Sequence, residues 1–340
     1  MRLSDFEYEL PPELIAQEPL PRRDESRLLV LRRDREEFEH RRFKDILEYL
    51  VPGDLLVMNE TKVLPVRLYG RKKTGGRVEL LLLRAVGTDL WEALVRPGRR
   101  VLPGTQLIFN NGLLEGEILS KTEAGGRIVS FRYQGSFEKV LQQVGEVPLP
   151  PYVRRKIASP DRYQTVYAKE PGSAAAPTAG LHFTPELLAA LRDGGVETVS
   201  LVLHIGLDTF RPVRVEDVTA HRMHREDFRI PEGTAEAVNL AKAAGRRVIG
   251  VGTTTVRCLE AVAEEPGRVR AAAGSTDLFI YPGYRFKVVD GMITNFHLPR
   301  STLLMLVAAF AGREKVLQAY REAVRLRYRF FSFGDAMLIL

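Results

Sequence analysis

From Gly172 to Gly180 the side chains are small, with Pro177 and Thr178 the largest, and His182 and Phe183 then arrive almost together. Gly, Ala and Ser leave the main chain open, so a ligand can lie against it and meet its N–H groups. Thr184, Pro185 and Glu186 follow, then Leu187, Leu188 and Leu191 at helical spacing. Thr184 suits an N-cap and Pro185 a first helical position. The segment therefore reads as an open loop feeding a helix N-terminus, where anions and polar ligands are favoured. A flexible Ala/Gly linker is the plainer alternative, but it does not explain His-Phe before a capped helix.

Five of the six histidines lie in the second half: His182, His204, His221, His224 and His297. Histidine titrates near neutrality and serves proton transfer and metal ligation alike. The pair His221/His224 lacks Glu or Cys at a known metal spacing and is crowded by arginines, so no metal is expected. Val248 to Val251, then Gly252, Thr253 and Thr254, reads as a strand, a glycine turn and a hydroxyl-rich helix start, which exposes N–H groups to a ligand. It lacks the full glycine spacing of a dinucleotide fingerprint. Aromatics interleave with basic and amide side chains in three places. Asp161, Arg162 and Tyr163 follow Arg154, Arg155 and Lys156; Tyr281 and Tyr284 precede Asn295, Phe296 and His297; Tyr328 lies among Arg325, Arg327 and Arg329. Such mixtures suit base stacking and edge recognition in single-stranded RNA, or an organic cation. Core packing beneath a solvated charged face is the ordinary reading of any one of these aromatics.

The elements that must position these residues are legible in the patterning. A chain of 340 residues exceeds one hydrophobic core, so two domains are expected. Short strands separated by Gly-, Pro- and Asn-Gly-containing turns run from Val63 to about Gly135 and predict a small all-β barrel. A helix over 137–144 and the prolines at 148, 150 and 151 end it. On either side the texture alternates strand and helix. Strands are expected over 27–31, 54–58, 196–204, 247–251, 277–281, 286–289 and 337–340. Helices are expected over 43–50, 234–244, 254–263, 301–311 and 314–325. The predicted architecture is a large α/β (mixed α+β) domain, 1–62 plus 149–340, interrupted by an inserted β-barrel domain, 63–148.

Composition bounds the rest. Apolar content of 45% and charged content of 27% are ordinary for a soluble protein. The apolar run from Leu303 to Ala311 is too short to span a bilayer. Acids come early, with no signal-peptide core, and a single Cys258 excludes an internal disulfide, so a cytoplasmic protein is expected. The formal charge of +7, carried mostly by arginine, is compatible with nucleic-acid binding.

Taken together, these blocks resemble one family, the S-adenosylmethionine:tRNA ribosyltransferase-isomerases of queuosine biosynthesis. The resemblance runs nearly end to end. It includes Asp24 with Ser26 to Leu28, Asn59 to Lys62, Pro148 to Tyr152, Arg162 to Ala168 and Ala175 to Thr184. It continues through Thr209 to Val213, His221/His224/Glu226, Gly252 to Thr254, Tyr281 to Tyr284, Thr294 to Pro299 and Phe330 to Met337. Asp208, Ala174, Thr255 and Phe333 depart from its pattern, where Gly, Val, Ser and Tyr are usual. The resemblance implies an α/β domain interrupted by a β barrel. It implies transfer of the ribosyl unit of S-adenosylmethionine to 7-aminomethyl-7-deazaguanine at the wobble position of a tRNA anticodon, with adenine and methionine leaving. S-adenosylmethionine is then a co-substrate, and no metal, bound cofactor or membrane is implied; a monomer is expected. An S-adenosylmethionine-dependent RNA methyltransferase and a non-catalytic tRNA-binding factor are the alternatives.

Such a reaction requires several proton movements, which positioned histidines and carboxylates can perform. The expected acid–base groups are His182 first, then His297, His221 and His224, with Asp161 and Glu226 as carboxylates. Ser173, Ala176, Pro177, Thr178, Gly180, Phe183, Gly252, Thr253, Thr254, Tyr281, Tyr284, Asn295 and Phe296 are expected to bind substrate. Arg154, Arg155, Lys156, Arg162 and Tyr163 are expected to bind tRNA.

Overall fold

The computed structural model describes residues 1–123, 125–155, 157, 159–206, 213 and 215–340. Lys156, Asp208 and Thr209 to Pro212 lie outside the described residues. The chain divides into two compact units. The larger holds Met1–Thr61, Pro150–Glu170 and Ala176–Leu340; the smaller holds Lys62–Leu149 and Pro171–Ala175.

The larger unit is built on a nine-stranded sheet. Its order is Ala272–Thr276, Glu226–Ile230, Glu197–Leu203, Leu55–Asn59, Val248–Val251, Gly291–Asn295, Ala336–Ile339, Arg27–Leu31 and Phe38–Arg42. The four strands from Glu197–Leu203 to Gly291–Asn295 run parallel. Leu55–Asn59, Val248–Val251 and Gly291–Asn295 are buried at every position, as strands covered on both faces must be. Ala336–Ile339 then runs antiparallel to Gly291–Asn295, so the sheet reverses direction at that seam. One face packs Leu56, Met58, Ile249 and Ile293 against Phe43, Phe183 and the helix Pro185–Asp193. Thr184 caps that helix by accepting from the Leu187 N–H at 3.2 Å. Further helices are Glu232–Ala243, Thr253–Ala261, Thr302–Ala311 and Arg313–Arg325.

The smaller unit is a closed antiparallel barrel. Strands Arg67–Lys72, Arg77–Gly87, Leu90–Arg96, Arg127–Tyr133, Leu114–Lys121 and Gln106–Phe109 follow in that order, and the last pairs with the first. Closure removes every edge, and Leu68, Leu80, Leu82, Phe109, Ile118 and Val129 fill the interior. Helix Phe137–Val144 follows Arg127–Tyr133, over the span expected for it.

Two expectations fail, each for a local reason. Residues 277–281 and 286–289 are not strands. In the first the Leu278 N–H goes to the Thr276 hydroxyl at 3.2 Å, and in the second backbone donors that a ladder would use go to one buried carboxylate. Glu260, 3% exposed, accepts from the N–H groups of Lys287, Val288 and Val289 at 2.8, 3.0 and 3.1 Å, and from the Tyr284 hydroxyl at 3.1 Å. The expected helix over 43–50 is a shorter 3-10 helix, Phe43–Glu48, entered through Asp45 accepting from the Arg42 N–H at 2.8 Å.

Removing the Glu260 carboxylate leaves these donors buried without an acceptor. Glu260→Ala is expected to lower unfolding stability by about 3–5 kcal/mol. Exposed Glu264→Ala, four residues on, should change it by less than about 0.5 kcal/mol. Denaturant midpoints of the two variants check the contrast.

Candidate active site

The strand Val248–Val251 ends at Gly252, whose φ of +90° turns the chain directly into helix Thr253–Ala261. That region is open to glycine and strained for other residues. Beside it, Gly291–Asn295 runs into the segment 296–301, and the Ser301 hydroxyl accepts from the Leu304 N–H at 3.2 Å to cap helix Thr302–Ala311. A mostly apolar cavity of about 260 Å³ lies at these strand ends. Ala176 to Ala179, Gly252 to Thr254 and Thr294 to Ser301 line it, closed off by Tyr152, Phe331 and Ser332. Carboxyl ends of parallel strands are where open α/β sheets bind ligands. Two helix N-termini at the wall add unsatisfied N–H groups and a favourable field for an anion.

Three lining side chains ionise: His297, Tyr152 and Arg300. His297 Nε2 lies 2.8 Å from Thr294 Oγ1, and its backbone N–H donates to the Tyr320 hydroxyl at 3.0 Å. The Tyr8 hydroxyl donates to its carbonyl. Burial pushes its pKa down to about 3, so the ring is neutral at working pH. The Tyr152 hydroxyl is 2.6 Å from Ser332 Oγ and burial holds its pKa well up. Its ring lies 4.7 Å from that of Phe331. Arg300 pairs with Glu7. Arg300 and Phe331 hold φ of +57° and +70°, costly for side-chain-bearing residues.

Behind the wall stands His182, fully buried, its ring stacked 4.9 Å from Phe43. Its Nδ1 is 2.6 Å from Ser26 Oγ and its Nε2 is 3.0 Å from Asn295 Nδ2. Burial, with Arg23 and Arg329 adding to it, holds its pKa well below the usual value. Glu226 is buried too. Burial, the largest single effect, pushes its carboxyl up, but Arg257, His224 Nε2 at 3.2 Å and the Gly206 N–H at 3.0 Å together outweigh it, so the pKa is lowered.

A model of the queuosine biosynthesis protein family matches residues 3–339. The S-adenosylmethionine:tRNA ribosyltransferase-isomerase of Pelotomaculum thermopropionicum is 62% identical over 341 residues, 100% of each chain. That of Carboxydothermus hydrogenoformans is 62% identical over 340 residues, again 100% of each. A crystal structure of S-adenosylmethionine tRNA ribosyltransferase from Thermotoga maritima is 45% identical, covers 99% of this chain and 100% of that one, and has a TM-score of 0.58. The chain belongs to the queuosine biosynthesis protein family. Its relatives are named as transferase-isomerases, so the family is one of enzymes.

For a queuosine biosynthesis protein, the cavity gathers part of the expected set. Ala176, Pro177, Thr178, Gly252, Thr253, Thr254, Asn295, Phe296 and His297 line it. His182 does not line it, because both ring nitrogens are engaged in the layer behind. Phe183 is likewise core, edge-on to Phe43 at 5.0 Å. Gly180 is small for packing rather than for a ligand, since a Cβ there would stand 1.9 Å from the Tyr167 hydroxyl. Ser173 donates to the Ala175 carbonyl at 2.7 Å and belongs to the smaller unit. Asp161 is exposed on the turn Pro160–Tyr163, outside the lining. Glu226 is held by Arg257, and Tyr284 by Glu260. His221 lies edge-on to Phe279 at 5.1 Å, which packs 5.0 Å from Tyr281. None of these lines the cavity, although Met223 and Phe279 share a small adjoining cleft with Thr253, Thr254 and Leu303.

Two tRNA expectations meet a packing role instead. Tyr163 is fully buried against Phe333, so no base can stack on it. Arg162 donates to the carbonyls of Leu20 and Pro21. Arg154 and Arg155 are exposed. Tyr152, Ser301, Phe331 and Ser332 were not singled out for the site. For Tyr152, Phe331 and Ser332 the available signal was their place in sequence blocks that resemble the family; Ser301 lies just beyond such a block.

His297 sets a pH test. Its folded pKa of about 3 lies below the ordinary value of about 6.5. Above that value the ring is neutral in both states; below it only the unfolded chain takes up the proton, so stability falls as pH drops from 6.5 toward 3. His297→Gln should remove up to one proton from that slope, read from melting temperatures across this window.

Proposed function

We propose that this protein transfers and isomerises the ribosyl moiety of S-adenosylmethionine onto 7-aminomethyl-7-deazaguanine at the wobble position of a tRNA anticodon. The products are epoxyqueuosine-tRNA, adenine and methionine. The observation that carries this reading is 62% identity along the whole chain to relatives named for the activity. The cavity supports it chemically. Tyr152 and Phe331 offer aromatic faces to a sulfonium or a base. The starts of helices Thr253–Ala261 and Thr302–Ala311 favour a carboxylate such as that of methionine.

The attacking amine must be neutral, the carbon beside the sulfonium must lose a proton, and adenine leaves more readily once protonated. His297 is a lining imidazole, uncharged and held by Thr294, that can take a proton in passing, although burial makes that proton costly to keep. S-adenosylmethionine is a co-substrate here, and the protein acts as a cytoplasmic monomer. Buried Cys258 is compatible with a reducing compartment. Among the described residues no helix is long and apolar enough to cross a membrane.

For tRNA, the barrel carries a basic surface of its own. Arg71 and Arg77 face each other across a strand pair, with Lys73 in the turn between. Lys72 Nζ donates to the Arg100 carbonyl, bringing Arg99 and Arg100 to the same end. Like charges so placed repel one another and are relieved by phosphate.

Mass analysis of products tests the reaction. Adenine, methionine and a heavier tRNA are expected; S-adenosylhomocysteine would mean methyl transfer, and intact S-adenosylmethionine a binding factor. His297→Gln is expected to slow single turnover by roughly a hundredfold with far less change in substrate affinity. Replacing Arg71, Lys73 and Arg77 together by Ala should weaken tRNA binding and flatten its salt dependence by about two to three units of slope.

A further inference from the structure

We propose that Asn295 recognises the ligand at the cavity wall, its Oδ1 accepting an N–H or O–H of the sulfonium nucleoside, and that His182 is the positioning residue that fixes its carboxamide. The inference deepens the reading of this cavity as the S-adenosylmethionine site and rests on it.

The orientation of Asn295 follows from its neighbours. Its Nδ2 lies 3.2 Å from the Phe331 carbonyl, 3.4 Å from the Asp335 carbonyl and 3.0 Å from His182 Nε2. Two carbonyl oxygens accept only, so the nitrogen of the carboxamide must face them. His182 Nε2 then meets an N–H and must itself be an acceptor, which puts the ring proton on Nδ1. The other end of the ring agrees. Ser26 Oγ donates its one proton to the Arg23 carbonyl at 2.9 Å and is left to accept from Nδ1–H at 2.6 Å. The chain from the Arg23 carbonyl through Ser26 and His182 to Asn295 closes in one sense only.

That sense leaves Asn295 Oδ1 over. The residue is 2% exposed and lines the cavity, and Oδ1 has no hydrogen-bond partner among the described residues. A buried acceptor without a partner is costly unless a ligand supplies a donor. An aspartate cannot replace it, since its oxygens would face the Phe331 and Asp335 carbonyls. A charged His182 cannot serve either, because it would present N–H to N–H. The charged groups around the ring, Arg23 and Arg329, both oppose protonation, and stacking on Phe43 keeps it dry.

The test uses the full chain labelled with ¹⁵N-histidine, His182→Gln assigning the signal. A neutral ring with its proton on Nδ1, unchanged between about pH 5.5 and 8.5, is expected. A proton on Nε2, or a titration that tracks turnover, overturns the proposal. Equilibrium binding of S-adenosylmethionine should weaken about tenfold or more in Asn295→Ala and in His182→Ala. Glutamine can still accept from Asn295 and donate to Ser26, so His182→Gln should restore most of what His182→Ala loses. If Gln and Ala are equally impaired while both stay folded, the positioning role fails. A parent that binds no S-adenosylmethionine overturns the substrate reading, and the ring tautomer then decides the carboxamide orientation on its own.

Discussion

The seam where Gly291–Asn295 lies between a parallel and an antiparallel neighbour is the constraint on which the site depends. Ile293 pairs in register with Val251 on one side and Leu338 on the other. Because the directions oppose, the carboxyl end of Gly291–Asn295 meets the amino end of Ala336–Ile339. Asn295 therefore sits level with Ala336, and the turn carrying Phe331, Ser332 and Asp335 is brought against it. A one-residue slip would turn Asn295 to the other face of the sheet and undo the wall. Every residue of the strand is buried, which is what holds this register.

Around the seam, buried polar groups are satisfied in sets. Asp335 accepts from the Arg27 and Arg329 N–H groups at 2.9 and 2.7 Å, fixing the turn that supplies carbonyls to Asn295. Glu260 does the same for the segment after Tyr284, and Arg257 with Glu226 joins helix Thr253–Ala261 to the neighbouring strand. Removing one member of such a set strands the others, so they hold geometry more than they add stability. The two histidines nearest the site rest neutral by burial, and His182 has both ring nitrogens engaged in hydrogen bonds. This arrangement gives the cavity fixed walls, with strained backbone at Arg300 and Phe331 kept in place by the packing around it.

Much of the architecture is legible in the patterning. The barrel strands fall within the stretch from Val63 to about Gly135 that turn signals mark out, and helix Phe137–Val144 spans its expected residues. The strand Arg27–Leu31 does likewise. Residues 286–289 alternate well enough to mimic a strand. Their backbone donors, however, answer to Glu260, a carboxylate more than twenty residues earlier that no local pattern connects to them.

By itself the sequence determined the elements, the loop with its small residues, the glycine turn at Gly252 and the kinds of side chain available for proton transfer. These are properties of short windows, where side-chain period, φ preference and capping act over a few residues. Which histidine faces the cavity was a tertiary decision. His182 and His297 look alike in sequence, each beside aromatic or glycine-rich neighbours, yet one lies behind the wall and one in it. The difference comes from Ser26 and Asn295, 156 and 113 residues away, whose hydrogen bonds occupy both nitrogens of one ring. Only the pairing of distant strands brings those partners together, and no spacing along the chain encodes it.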